Sequence, residues 1–277
     1  SNLNNYFYQY NKTEKEYLER LLANKKNILE NEDKLIKANS YVSKLHIKAL
    51  SKLKDLKIAD FIGFHGQTIH HDPLRELTVQ LGDPYLIANK FKKNVVFSFR
   101  SNDIKNGGQG APIAPIYHKY LIKKFNLRLP CCIVNIGGIS NLTYWDGDDL
   151  IAFDTGPGNC LLDDYMRKFK NKNYDKDGII SSNGKVDKMI VKNFLNEPFF
   201  KINPPKSLDR KTFENFYVDI LKKNLSLNDA MATLLELTFE TIRHSLKFVP
   251  KNINSIFLCG GGSQNKFLAF KFKKFFK

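Results

Sequence analysis

Three times in this chain an apolar run of strand length ends in a glycine turn: at 131–138 (CCIVNIGG), 150–158 (LIAFDTGPG) and 256–262 (IFLCGGG). No other feature constrains the fold as much. A strand that stops at glycine leaves its backbone N–H groups open to close approach, because no side chain stands in the way. A helical run then starts after the second turn (Leu161, Leu162, Tyr165) and after the third (Phe267, Leu268, Phe272), so helix N-termini meet the same turns. None of the turns reads GxGxxG and GxxxxGK[ST] is absent, so neither the dinucleotide fingerprint nor the P-loop applies. Glycine also serves tight strand–helix turns for steric reasons alone. The recurrence of three such turns in one chain is what points to a nucleotide site.

Asp154 closes the apolar run 150–153 and precedes the turn Gly156-Pro157-Gly158. A carboxylate at a strand tip beside glycines is how many enzymes present a general base. The plainer reading is an Asp that caps the following turn or helix.

The rest of the chain alternates short apolar segments with helical periodicity. Thr13 and Glu16 form a capping-box pattern that predicts a helix from about Glu14. A second helix is expected over 32–56, with Leu35, Ala38, Val42, Leu45, Ala49 and Leu53 on one face. Strands are predicted at 61–64, 77–81, 95–99, 131–136, 141–145, 150–153 and 256–259. Helices are predicted at 84–91, 114–124, 159–169, 187–195 and 229–248. This alternation, without an internal repeat, is α/β architecture, and a division near 125–130 is expected.

Composition excludes more than it assigns. The formal net charge is +16, yet the lysines are spread along the whole chain as solvated surface residues, so no nucleic-acid partner is expected. The basic, aromatic stretch 267–277 places Phe267, Leu268, Phe272, Phe275 and Phe276 at helical spacing, which reads as a core-facing helix. No run of eighteen apolar residues exists, so no membrane span is expected, nor does the first segment look like a signal peptide. Cys131, Cys132, Cys160 and Cys259 make no CxxC pair and read as reduced, mostly buried thiols of a cytoplasmic protein.

Polar segments cluster in the first half. His65, Gln67, Thr68, His70 and His71 follow one strand, Gln80 and Asp83 another, and Arg100, Asp103 and Gln109 precede a glycine turn. Hydrogen-bonding side chains at strand ends suit a polyhydroxylated ligand such as a sugar. A zinc site on the histidines is disfavoured, because adjacent residues of an extended segment point opposite ways and no second ligand cluster exists. The loop 174–183 lacks the spacing and the terminal Glu of a calcium loop.

In order along 61–265 stand HGQTIHHDP, QLGDP, FR-x-x-D-I-x-x-GGQGAP-x-x-P, NIGGISNLT, FDTGPGN-x-LLD, YDKDG, PPKS-x-x-R-x-x-F, ATLLELT and CGGG-x-x-N. Together they closely resemble the anhydro-N-acetylmuramic acid kinase family. The resemblance implies a two-lobed actin-like ATPase (sugar kinase) fold of α/β class. It implies a first lobe over 1–125 with the sugar-binding loops and a second over 126–277 with the general base and the ATP-facing turns. It implies an ATP-dependent reaction with magnesium in which water opens the 1,6-anhydro bridge of anhydro-N-acetylmuramic acid and the freed 6-oxygen is phosphorylated, in peptidoglycan recycling. Asp154 takes the catalytic role of base. His65, Gln67, Thr68, Arg100 and Asp103 fall to the sugar. Asn135, Gly137, Gly138, Gly156, Gly260, Gly261, Gly262 and Asn265 fall to ATP, and a homodimer is expected.

The chain departs from the family pattern at both ends. The family's opening SGTS-x-DG turn is not found before Tyr17, and the chain stops soon after CGGG-x-x-N. The expectation is therefore a fold incomplete at both ends, with little or no kinase activity in this chain as it stands. The alternative reading is an inactive remnant that at most binds sugar or acts as an interaction module.

Overall fold

The computed structural model describes residues 5–72, 75–208 and 223–276. Contacts divide it into two units, Ser1–Ala111 and Pro112–Lys277. The helix Ala114–Lys124, which the sequence assigns to the first lobe, thus belongs to the second unit. Its His118 is buried, with Nδ1 2.8 Å from Thr143 Oγ1.

The first unit opens with helices Lys12–Ala23, Lys25–Leu29 and Glu32–Leu50. The capping box lies two residues earlier than the sequence suggests. Asn11, not Thr13, is the N-cap: its side chain accepts from Glu14 N (2.9 Å), and Glu14 Oε2 accepts from Asn11 N (3.1 Å). The reason is tertiary, since Glu14 also accepts from Tyr8 and from Lys48 Nζ at 2.9 Å. Those donors, Lys48 first, hold its carboxyl below the usual range. Asn11→Ala should therefore lower stability by about 1 kcal/mol, read by denaturant unfolding; an unchanged midpoint would remove the cap from the helix's support. The third helix stops at Leu50, short of the expected residue 56, and a 3-10 turn follows at Lys54–Ile58. Ala38, Val42 and Leu45 are buried as its periodicity requires.

Strands β1 (Phe61–Gly63), β2 (Gln67–Asp72), β3 (Leu77–Leu81) and β4 (Asn94–Val96) form two small sheets in this unit. β1 pairs with β4 in parallel; β2 pairs with β3 antiparallel, with a bulge between Thr68 and His70. Helices Pro84–Phe91 and Phe99–Lys105 complete the unit. The second replaces the tail of the strand expected over 95–99.

The second unit is built on one sheet of order β7-β6-β5-β8, from β5 (Cys131–Ile136), β6 (Ile139–Trp145), β7 (Leu150–Pro157) and β8 (Ser255–Cys259). β6 runs antiparallel to both β5 and β7, and β8 runs parallel to β5. β5, β7 and β8 therefore point the same way, and their carboxyl ends share one edge. Val134, Leu142, Phe153 and Leu258 fall on one face, packed with the helices Cys160–Lys170, Lys188–Leu195 and Leu227–Ser245. The last helix, Lys266–Phe275, buries Leu268 and Phe272 there, while Phe275 and Phe276 are exposed. Its apolar face is narrower than the sequence suggests. All four cysteines are free thiols, and burial pushes Cys132 up to about 12. Among the described residues no helix is long and apolar enough to cross a membrane.

Candidate active site

The glycine turns converge. Gly137 and Gly138, between β5 and β6, occupy the centre. On one side the chain after β7 is bonded onto them: Gly158 N donates to Gly138 O (2.9 Å) and Asn159 N to Gly137 O (2.7 Å). On the other side Gly260 and Gly262 press on Asn135 and Ile136, so close that a Cβ on Gly260 would lie 2.5 Å from Asn135 Oδ1. Asn159 spans both neighbours. Its Nδ2 donates to Ile136 O (3.3 Å), and the Cβ position of Gly262 lies 3.0 Å from its Oδ1. This cluster sits at the carboxyl ends of the co-directed strands, where open α/β sheets take their ligands. The helix Cys160–Lys170 starts there, and the positive end of its dipole suits a phosphate.

The glycines divide into two kinds. A Cβ at Gly156 would lie 2.6 Å from Thr241 Oγ1, and one at Gly262 2.3 Å from Ile136 Cγ2, and both glycines are buried. Packing alone demands them. A Cβ at Gly138 would meet nothing nearer than 3.9 Å, and one at Gly261 nothing nearer than 3.7 Å; both are exposed. The protein's own packing does not require glycine at these two positions. Asn265 caps the last helix, accepting from Leu268 N (3.0 Å).

Asp154 is not at a strand tip. β7 continues through Pro157, so the carboxylate stands within the ladder, opposite Asn141. Among the described residues β7 is an edge strand, which tolerates a proline, and pairing with β6 carries the strand past the residues that end it in the sequence reading. The register sets Asp154, Asn141, Asn135 and Cys259 in one row across the four strands, with side chains on one face. Cys259 Sγ lies 3.8 Å from Asn135 Oδ1. Asn141 Oδ1 and Ser140 Oγ are buried without a hydrogen-bond partner among the described residues. The partly exposed Asp154 is oriented by its neighbour in space: Oδ2 accepts from Leu208 N (2.8 Å), and Asp154 N donates to Lys206 O (3.0 Å). Sequence reasoning missed Asn141, Asn159 and Thr238, whose hydroxyl donates to Gly158 O (2.7 Å). All three lie in quoted motifs, and only the turns' meeting singles them out. Arg210 and Phe213 of the PPKS-x-x-R-x-x-F motif lie outside the described residues.

Lys206 is buried against the rings of Phe153, Phe199 and Phe248. Desolvation, then the charge of Lys247, lowers its ammonium to about 8. An unfolded lysine keeps its proton to about 10.4. Between these values the unfolded chain binds more protons, so this residue makes stability rise with pH from about 8 to 10. The stability of wild type relative to Lys206→Met should therefore shift toward wild type across that window in urea titrations; a flat difference would contradict the burial argument.

In the first unit His65 and Arg100 come together: Arg100 Nε donates to His65 Nε2 (3.0 Å), and His65 Nδ1 lies 3.0 Å from Gly66 O. Arg100 Nη1 donates to Gly110 O (2.8 Å), and Asp103 Oδ2 accepts from Gly110 N (2.7 Å). The two side chains thus hold both backbone groups of one loop glycine. A cavity of about 250 Å³ is lined by His65 with Thr78, Gln80, Ser98 and Ser101, over Phe64 and Phe97. Gln67, Thr68, Arg100 and Asp103 are not among its lining residues. Gln67 Nε2 donates to Thr68 O (3.3 Å), and Thr68 Oγ1 is buried without a partner among the described residues. Asp83 caps the helix Pro84–Phe91, its side chain accepting from Tyr85 N and Leu86 N. Among the described residues no three His, Cys, Asp or Glu side chains gather closely enough to hold a metal ion.

A mixed sheet with glycine turns gathered at the carboxyl ends of its co-directed strands defines an α/β protein with the makings of a ligand site. The family model for anhydro-N-acetylmuramic acid kinase matches residues 2–277, and the chain belongs to that family. Proteins named anhydro-N-acetylmuramic acid kinase from Nitrobacter winogradskyi (42% identical over 207 residues, 74% of this chain and 56% of that protein) and Pelagibacter ubique (42% over 218, 74% and 56%) are similar to it. So is one from Azorhizobium caulinodans, 39% identical over 242 residues, 85% of this chain and 65% of that protein. The chain spans between half and two thirds of the length of these relatives.

Proposed function

We propose that the protein is an ATP-dependent kinase that opens 1,6-anhydro-N-acetylmuramic acid with water and phosphorylates the 6-oxygen, giving N-acetylmuramic acid 6-phosphate. The observation that carries this reading is the placement of Asp154 in the same sheet row as Asn135, beside the converging turns, in a chain of this family. Water adds to the anomeric carbon and its proton passes to Asp154. The bond from that carbon to the 6-oxygen breaks, and the oxygen takes the γ-phosphoryl group as ADP departs. Gly138 and Gly261 leave room for phosphates, and the helix dipole at Cys160 adds favourable potential. Magnesium, when bound with ATP, supplies charge neutralisation; held mainly by phosphates and water, it needs no dedicated cluster of three side chains.

The cavity at His65 is small for a ligand pocket, and its hydroxyl and amide lining suits a sugar. In this reading Gln67, Thr68, Arg100 and Asp103 also serve the sugar, Arg100 and Asp103 through the loop glycine that they hold. In this reading the fold is the two-lobed actin-like kinase fold, the active form is a homodimer, and the setting is the cytoplasm. The test is product analysis by mass spectrometry with the full-length protein, ATP and the anhydro sugar. Formation of the 6-phosphate with one ADP per sugar is expected. ADP release without sugar phosphate, or no product, would overturn the reading.

A further inference from the structure

The segment 206–208 touches the candidate base twice: Lys206 O accepts from the Asp154 backbone, and Leu208 N donates to its carboxylate. Among the described residues β7 ends the sheet, and this segment is bonded to it at Asp154 as a strap. We propose that Lys206 is a positioning residue for Asp154: its ammonium, seated among three aromatic rings, ties down the strap that orients the carboxylate. This rests on the base role given to Asp154 above.

Lys206 Nζ lies 4.1 Å from the ring centre of Phe248, 4.6 Å from that of Phe199 and 5.8 Å from that of Phe153. It donates to Phe199 O at 3.2 Å. No carboxylate stands within ion-pair distance of it among the described residues. Burying a lone ammonium is unfavourable, and an apolar side chain would fill the space with less cost in stability. Packing therefore does not explain a lysine here. Ring faces do offer a cation one defined seat, which an aliphatic chain end lacks. Phe153 directly precedes Asp154, and side chains alternate along a strand. The ammonium thus grips one face of β7 while Leu208 N–H grips the carboxylate that projects from the other. Small misplacement of a reacting group costs rate more than binding.

The experiment is steady-state kinetics on the full-length protein with Lys206→Met, which keeps the stem and removes the charge, and with Phe248→Leu, which opens the seat away from Asp154. Each variant is checked for folding by circular dichroism. Lys206→Met should lower kcat about 10- to 100-fold with KM for ATP and sugar within about twofold, and Phe248→Leu should show a smaller loss of the same kind. A folded variant of either type with kcat within about twofold of wild type, or a loss confined to KM, overturns the proposal. If Lys206→Met does not fold, Phe248→Leu decides by the same criterion. Asp154→Asn, run in parallel, separates the two readings. An active Asp154→Asn protein removes the base role itself, whereas an inactive one beside a normal Lys206→Met removes only the positioning role.

Discussion

Asp154→Asn is expected to abolish measurable turnover while leaving ATP binding nearly intact. The amide is isosteric, and its oxygen can still accept from Leu208 N, so the strap at 206–208 has no reason to move. The backbone bond from Asp154 N to Lys206 O is untouched. What is lost is a group able to take a proton from water, and positioned acid–base catalysis contributes about 10²–10⁴-fold in rate. The fall should appear in kcat, with nucleotide affinity by calorimetry changed less than about threefold. Turnover within about tenfold of wild type would remove Asp154 from its role.

Gly158→Ala should be the most damaging of the glycine substitutions near the site. Its Cβ would fall 2.2 Å from Gly137 O and 3.0 Å from Ser140 Oγ. The obstacle is backbone, and it cannot retreat without breaking the bonds from Gly158 N to Gly138 O and from Asn159 N to Gly137 O. Overpacking of this kind costs about 1–3 kcal/mol or more, which thermal unfolding would register as a loss of several degrees. Gly138→Ala is the contrast. Its Cβ would meet Cys160 Cβ at 3.9 Å, an ordinary contact, so stability should hold within about 1 kcal/mol while ATP affinity falls at least about tenfold. Normal nucleotide binding by Gly138→Ala would mean that this glycine does not face a phosphate.

Much of this architecture was legible because local chemistry and tertiary structure agree. The apolar runs at β5, β6 and β8 became strands close to their expected limits, and the helices at Pro84–Phe91 and Ala114–Lys124 match theirs. Disagreements arise where a long-range partner outweighs local preference. No strand is predicted at β2, since Ile69 is its sole aliphatic residue, yet pairing with β3 and the burial of Ile69 against Leu81 and the N-terminal helices make it one. The helix Phe99–Lys105 was hidden because Phe97 and Phe99 prolong an apolar run. Glu14 was drawn into the cap by Tyr8 and Lys48, which lie six and thirty-four residues away.

At the candidate site the same division holds. Glycine content, the carboxylate at 154 and the order of motifs are properties of the chain itself, and they suffice for the α/β class and the family. They leave open which glycines face a ligand and which merely admit a neighbour, because a missing Cβ looks the same in either case. Only the tertiary structure shows that Thr241 packs on Gly156 and Ile136 on Gly262, whereas a Cβ at Gly138 or Gly261 would meet its neighbours at no closer than ordinary contact distance. Likewise only strand register could align Asp154 with Asn141, Asn135 and Cys259, and only the return of the chain at 206–208 could supply its hydrogen-bond donor from fifty-four residues away. Local preference acts over a few neighbours, whereas a site is assembled by contacts whose sequence separation carries no local signal.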